Sequence, residues 1–290
     1  MTIELLTLPD DRILEVSVLG PDRGLPLVYH HGTPGGATPP RFLEREVTGR
    51  GLRLVSFSRP GYGDSTSRSG RRVVDVVEDT AAVLAHIGAD SCLVAGWSGG
   101  GPHALACAAR LPGVRAALVL AGVGQHDAID LDFFAGMGTE NLQEFGAARS
   151  GESALRAYLE GEAPALRSTD AAGVIEAMGT ILPAADRAVL TDEYGVDQAA
   201  SFTEALRRGI DGWVEDDVAF IQPWGFDLDE IAVPVHLWQG ELDKMVPADH
   251  GTWLGEKVPG ARLHLVPGEG HLSLVLGGIG RMLDDLVRAK

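Results

Sequence analysis

Cysteine is almost missing from this 290-residue sequence: Cys92 and Cys107 are the only two. Such a count excludes a disulfide-stapled scaffold, and both fall on a predicted buried strand and its following helix, where they read as reduced core thiols. Neither sits at a turn that could present a nucleophile. Positive charge is also scarce, with 24 Lys and Arg against 41 Asp and Glu and a net charge of −17. A surface of that sign repels nucleic acid and anionic membranes, so neither is an expected partner. No apolar run reaches the length of a membrane span, and the opening Met1-Thr2-Ile3-Glu4 carries no basic leader region. A cytoplasmic location is the expectation. No repeat or low-complexity stretch occurs, and no histidines follow a metal spacing such as H-E-x-x-H. No metal and no cofactor are implied.

What is present is apolar content of 45%, enough for a large core in one α/β domain carrying an insertion. Short apolar runs at 26–30, 53–57, 92–96, 116–120, 235–239 and 262–266 suit parallel strands covered on both faces. Helical patterns lie between them. In the clearest, Val73, Val76, Val77, Thr80, Leu84 and Ile87 recur at a helical period and Gly88 follows as a stop. Ile3 to Leu8 and Ile13 to Val18, around Pro9-Asp10-Asp11, predict a hairpin. Residues 125–224 break the alternation of strand and helix, dividing a core of 1–124 and 225–290. Helices separated by Gly and Pro are expected there, with Phe133, Phe134, Met137, Leu142, Phe145, Leu155, Tyr158, Leu159, Met178, Phe202, Leu206 and Trp213 along them.

The most informative stretch is Gly96-Trp97-Ser98-Gly99-Gly100. A serine with glycine two positions to either side matches a strand-to-helix nucleophile elbow, whose strained turn brings those neighbours close enough to require glycine. The turn would hold the Ser98 hydroxyl at a helix N-terminus, where free N–H groups favour an oxyanion. Pro102 suits the first turn of that helix. Gly99 to Ala104 also fits the dinucleotide fingerprint G-x-G-x-x-G/A, but Ala116 to Gly124 offers no acid to meet a ribose.

A nucleophilic serine needs a base, and the base needs an acid to orient it. Asp243 follows the strand-like Val235 to Gln239, and His271 follows Arg262 to Val266, so both leave the sheet on the edge where Ser98 stands. The flanking Glu241 and Glu269 read as solvated loop carboxylates. His31 reads as an anchor of its own loop, and His103 as packed on the helix after Ser98.

With those residues in view, the chain resembles the α/β-hydrolase fold family, as a capped serine hydrolase. His31-Gly32-Thr33-Pro34 resembles its oxyanion loop, Arg59-Pro60-Gly61-Tyr62-Gly63-Asp64-Ser65 its R-G-x-G-x-S turn with a proline inserted, and Gly240 to Pro247 and Gly270-His271 its acid and histidine loops. The resemblance implies a mostly parallel eight-stranded sheet flanked by helices, with residues 125–224 as a helical cap. It implies Ser98 as nucleophile, His271 as general base and acid, Asp243 as its partner, and the backbone N–H groups of Thr33 and Gly99 as oxyanion donors. Asp127 and Asp130 offer the other acid position that some members use. Trp97, Phe134, Met137 and Trp213 are the expected substrate contacts, the other cap aromatics being cap core. The expected reaction is cleavage of a small or medium, apolar carboxylic ester. Lactonase, thioesterase, carbon–carbon hydrolase, iminopeptidase and perhydrolase chemistries remain alternatives on the same fold. Thr33 and the Trp97 before the serine depart from the iminopeptidase pattern, and a serine excludes the dehalogenases and epoxide hydrolases that use aspartate. A receptor-like protein with little turnover is the alternative outside catalysis, and homo-oligomerisation is left open.

Overall fold

The computed structural model describes residues 3–177, 182–190 and 192–289. Met178, one of the apolar residues expected in the insertion, lies outside them. The predicted hairpin forms as β1 (Ile3–Thr7) and β2 (Ile13–Leu19), and the six apolar runs form β3 (Pro26–His30), β4 (Arg53–Phe57), β5 (Cys92–Trp97), β6 (Val114–Leu120), β7 (Val235–Gly240) and β8 (Arg262–Val266). They make one eight-stranded sheet in the order β1-β2-β4-β3-β5-β6-β7-β8. β1 and β2 pair antiparallel, as do β2 and β4, while β3 to β8 pair in parallel. Parallel strands need a cover on both faces, which explains why β3, β5 and β7 are buried at every residue.

The cover is helical: α1 (Arg41–Gly49), α2 (Val76–His86), α3 (Gly100–Arg110), α10 (Ala248–Lys257) and α11 (His271–Arg288) pack on the sheet. Gly88 ends α2 at φ +69°, a left-handed position that glycine occupies without strain. Between β6 and β7 lie α4 (Thr139–Arg149), α5 (Glu152–Arg167), α6 (Ala171–Ala177), α7 (Ala184–Val189), α8 (Asp192–Ala205) and α9 (Asp211–Phe220). This segment has apolar clusters of its own, around Leu155, Leu159, Leu206 and Trp213 and around Val174 and Phe202. It is not detached from the sheet's core, because Phe133, Met137, Phe145, Tyr194, Phe220 and Trp224 join the main cluster. Among the described residues no helix is long and apolar enough to cross a membrane.

Because β3, β5, β7 and β8 are parallel, the loops after them open on one edge of the sheet. That edge carries His31 to Thr33, Ser98, Asp243 and His271.

Candidate active site

Ser98 occupies the tight turn between β5 and α3 at φ +56°, a left-handed conformation rarely held by a residue with a side chain. Its own N–H donates to Leu120 O on β6 at 2.8 Å, and its carbonyl accepts the Gly101 N–H at 2.9 Å. The turn is closed so tightly that a Cβ at Gly96 would lie 2.1 Å from Gly100 O, and one at Gly100 would lie 2.0 Å from His30 O. The spacing of the elbow glycines therefore has a steric cause. Among the described residues the backbone N–H groups of Thr33 and Gly99 donate to no protein acceptor. A Cβ at Gly99 would lie 2.4 Å from Thr33 Oγ1, so the two stand side by side.

His271 begins α11, and its Nδ1 lies 2.7 Å from Asp243 Oδ2. The carboxylate can only accept, so Nδ1 carries the proton and Nε2 keeps a lone pair. Asp243 is held by the N–H groups of Met245 and Val246, at 2.8 and 2.9 Å on Oδ1, and by Gln239 Nε2 at 3.2 Å on Oδ2. Burial disfavours the His271 imidazolium, but the Asp243 charge and hydrogen bond outweigh it and raise the group above its ordinary 6.5. Trp97 stacks on the ring at 5.9 Å. Ser98 and His271 border the same cleft without a hydrogen bond between their side chains, a contact that often tightens only with substrate bound.

His31 and His103 behave as anchors. Arg59 N–H donates to His31 Nε2 at 3.2 Å, which leaves Nδ1 to donate to Gly32 O at 2.7 Å. Burial and the Arg59 charge hold His31 well below 6.5, in its neutral form. His103 Nδ1 bonds to Gly99 O at 2.9 Å inside α3. Asp130, the other acid position, receives Trp253 Nε1 at 2.7 Å and the Lys257 ammonium at 2.5 Å instead. His236, His264 and Asp285 bring three ligand atoms within 4.8 Å of one another. They border neither cavity beside Ser98.

Beneath the loop bearing Thr33 lies a buried charge network not expected from the sequence. Arg59 donates to His31 O at 2.6 Å, to Gly32 O and Thr33 Oγ1 at 3.1 Å, and to Asp216 Oδ2 at 2.5 Å. Asp216, on α9, also accepts from Thr33 Oγ1 at 2.8 Å, Tyr62 OH at 2.9 Å and Arg71 Nη2 at 2.7 Å. Burial alone would raise this carboxyl, but the Arg59 and Arg71 charges bring it well below 3.8. The signal available was Glu215-Asp216-Asp217 between Trp213 and Phe220: consecutive acids in an otherwise apolar helix need buried partners.

Two chambers meet at Thr33, Pro34 and Ser98. The first, of about 100 Å³, is walled by Trp97, Tyr194, Gln198, Phe202 and His271. The second, of about 230 Å³, is walled by Met137, Phe145, Trp213 and Phe220 and has acids at Glu144, Glu162 and Asp217. Asp217 is buried, and among the described residues neither of its oxygens meets an N–H donor or a hydroxyl group. What faces it is the carboxyl of Glu144, itself accepting Trp213 Nε1 at 2.7 Å. Burial first, and then the charge of Glu144, push Asp217 well above 3.8, and burial raises Glu144 too. Two such carboxyls side by side share a proton.

Of the four expected substrate contacts, Trp97 borders the first chamber and Met137 and Trp213 the second. Phe134 requires correction. It borders neither, because its ring packs edge-on against Phe133 and His126 with the Arg149 guanidinium 5.3 Å from its centre.

Residues 27–285 match the model of the alpha/beta hydrolase family. The chain belongs to that family. It is 25% identical to a probable proline iminopeptidase from Leptolyngbya boryana, over 91% of this chain and 87% of that protein. Among solved structures, a hydrolase from Pseudomonas aeruginosa superposes with a TM-score of 0.71 at 17% identity, covering 99% of each chain. An esterase from Rhodococcus sp. ECU1013 superposes at 0.66 with 20% identity and full coverage of both. At such identities the likeness is one of fold, and these hydrolases bear differing activities in their names.

Proposed function

We propose that this hydrolase cleaves a small or medium carboxylic ester through an acyl-enzyme on Ser98, with residues 125–224 serving as a cap over the site. The observation that carries the reading is the Asp243–His271 hydrogen bond of 2.7 Å in a cleft shared with Ser98, whose strained turn opens a helix N-terminus. In the first step Ser98 Oγ attacks the acyl carbon and its proton passes to His271 Nε2, while Asp243 stabilises the imidazolium. The carbonyl oxygen takes the negative charge and sits on the N–H groups of Thr33 and Gly99. Collapse breaks the bond to the alkoxide, which leaves with the proton from His271. Water then repeats the sequence on the acyl-serine, freeing the acid and restoring Ser98. Since His271 must reach the departing oxygen and borders only the first chamber, that chamber takes the leaving group and the larger one takes the acyl group.

A second reading is favoured by Glu144 and Asp217: an acyl group carrying a protonated amine, as in an aminoacyl ester or amide. An ammonium placed between the two carboxyls would replace the shared proton and give the Asp217 oxygens the N–H donors that no neighbouring residue supplies. The similarity to a protein named a probable proline iminopeptidase agrees with this substrate class. The deciding experiment is labelling with a fluorophosphonate, followed by turnover of p-nitrophenyl esters and aminoacyl p-nitroanilides. Wild type should label and Ser98→Ala should not. Equal labelling of both would remove Ser98 as the nucleophile.

A further inference from the structure

Asp186 belongs to α7, in the inserted segment, yet the donors it meets are on α11. Its Oδ2 accepts the His271 N–H at 2.9 Å, and its Oδ1 accepts those of Leu272 and Ser273 at 2.9 and 2.8 Å. The Gly270 N–H is taken by Ser273 Oγ at 2.8 Å. These are the N–H groups that a helix N-terminus leaves without partners. A completely buried acid has thus been brought from another part of the chain to close the first turn of the helix that starts with His271.

The position of His271 creates the need. An 18-residue helix presents a partial positive charge of about half a unit at its first turn. On the acyl-transfer reading above, the side chain at that turn must itself become a cation. Burial makes this harder, because the His271 side chain is 4% exposed.

We propose that Asp186 is a positioning residue for the base. It fixes the first turn of α11, and with it the His271 imidazole, and it cancels the charge of the helix end facing the imidazolium. Asp243 orients the ring from the other side, so the base is set by one carboxylate from the sheet edge and one from the insertion. Correct setting of His271 then requires α7 to be docked on α11.

Gly270 supplies independent support. Its φ of −101° suits any residue, so backbone conformation does not demand glycine. Space does: a Cβ there would lie 2.5 Å from Asp186 Oδ1 and 2.6 Å from its Cγ and Oδ2. The glycine before the histidine leaves room for the carboxylate of α7. The titratable groups acting on His271 are Asp243, from the loop after β7, and Asp186, from α7. Trp97, at the end of β5, stacks without charge. The Arg50 and Asp284 pair, where α1 meets α11, lies beyond Gly280, more than two helical turns along.

The test uses the full chain and two variants. Asp186→Asn keeps the shape and removes the charge; Gly270→Ala keeps the acid and displaces it. Steady-state kinetics on a p-nitrophenyl ester across pH are combined with the His271 imidazole titration by NMR, assigned with His271→Gln, and with Tm. Both variants should lose about 10-fold or more in kcat with KM within about 2-fold. The acid limb of kcat/KM and the His271 midpoint should both move to lower pH, because the imidazolium has lost a counter-charge. Should Asp186→Asn fail to fold, Gly270→Ala carries the same readouts. A lowered Tm with wild-type kcat and an unmoved His271 midpoint in the variant that folds would reduce Asp186 to a helix cap and overturn the proposal. Failure of the acyl-transfer reading is separable, since it would appear as retained turnover in His271→Gln, while the NMR midpoint reports on Asp186 regardless.

Discussion

Replacing Asp216 by Ala tests the buried network under the Thr33 loop. The change leaves Arg59 and Arg71, whose side chains are 1% and 3% exposed, without the carboxylate they share. Breaking a buried pair by removing one partner costs about 3–5 kcal/mol, most of it the desolvation of the charge left behind. Unfolding entropy of about 2.1 cal/mol/K per residue amounts to roughly 0.6 kcal/mol/K for a chain of this size, so Tm should fall by about 5–8 °C. Arg71 keeps Glu215 Oε2 at 3.1 Å and Arg59 keeps the carbonyls of His31 and Gly32, which places the expected loss toward the lower end. The pH dependence has a definite sign. Burial raises the Asp216 carboxyl, and the two arginines more than reverse it, so the folded value lies well below 3.8. The stabilisation is therefore complete above that unfolded value and is lost only as pH falls through the depressed folded one. Calorimetry or a thermal melt near pH 7 reads the stability. Activity on a p-nitrophenyl ester reads the loop, because Thr33 Oγ1 loses its 2.8 Å acceptor and the proposed oxyanion donor loosens. A Tm within about 1 °C of wild type would refute the reasoning, since it would mean that the two cations need no carboxylate.

The remaining predictions concern the proposed chemistry. Asp243→Asn should cut kcat by about 10⁴ in a folded protein by allowing the wrong imidazole tautomer, as happens when a triad acid becomes an amide; near-wild-type turnover would show that another acid serves His271. Asp217→Asn should weaken kcat/KM for an aminoacyl substrate by roughly 10- to 100-fold, the scale of one hydrogen bond to a charged group, and leave a neutral acyl ester within about 3-fold. Equal effects on both substrates, compared in parallel assays, would remove the amine-binding reading.

The sheet was legible because each strand is an apolar run bounded by turn chemistry, and strand ends differ from the predicted ones by at most two residues, as at Val114 and Leu19. The elbow was legible for a steric reason local to five residues: Gly96 and Gly100 are close in sequence and nearly touch. Asp243 and His271 were legible from the loops that carry them, which fold on the same sheet edge. The buried acids were not. Asp216 and Arg59 stand 157 residues apart, so the run Glu215-Asp216-Asp217 can signal a need for buried partners but cannot say which residues they are. Asp186 lies in a six-residue helix with no amphipathic pattern to mark its inward face. Phe134 misled because a phenyl ring fits a pocket wall and an aromatic cluster equally well, and only the positions of His126, Phe133 and Arg149 separate the two.

Those buried acids share an origin. Asp186 comes from α7 and Asp216 and Asp217 from α9, and the half-buried Glu144 comes from α4, all within the stretch between β6 and β7. Their contacts run in two directions. Asp186 and Asp216 reach inward, to the first turn of α11 and to the Thr33 loop, whereas Glu144 and Asp217 face the larger chamber. On the proposed chemistry, the insertion therefore does more than cover substrate: it holds the loops from which base and oxyanion donors act. Packing makes the two tasks separable. Gln198 on α8 borders the leaving-group chamber, whereas on the same helix Tyr194 packs against the Trp97 ring that stacks on His271 and Glu204 accepts the Thr38 N–H at 3.1 Å. Changes at Gln198 can therefore alter which leaving groups fit while the base and oxyanion loop stay in place. Changes at Asp186 or Asp216 act on the chemistry whatever the substrate.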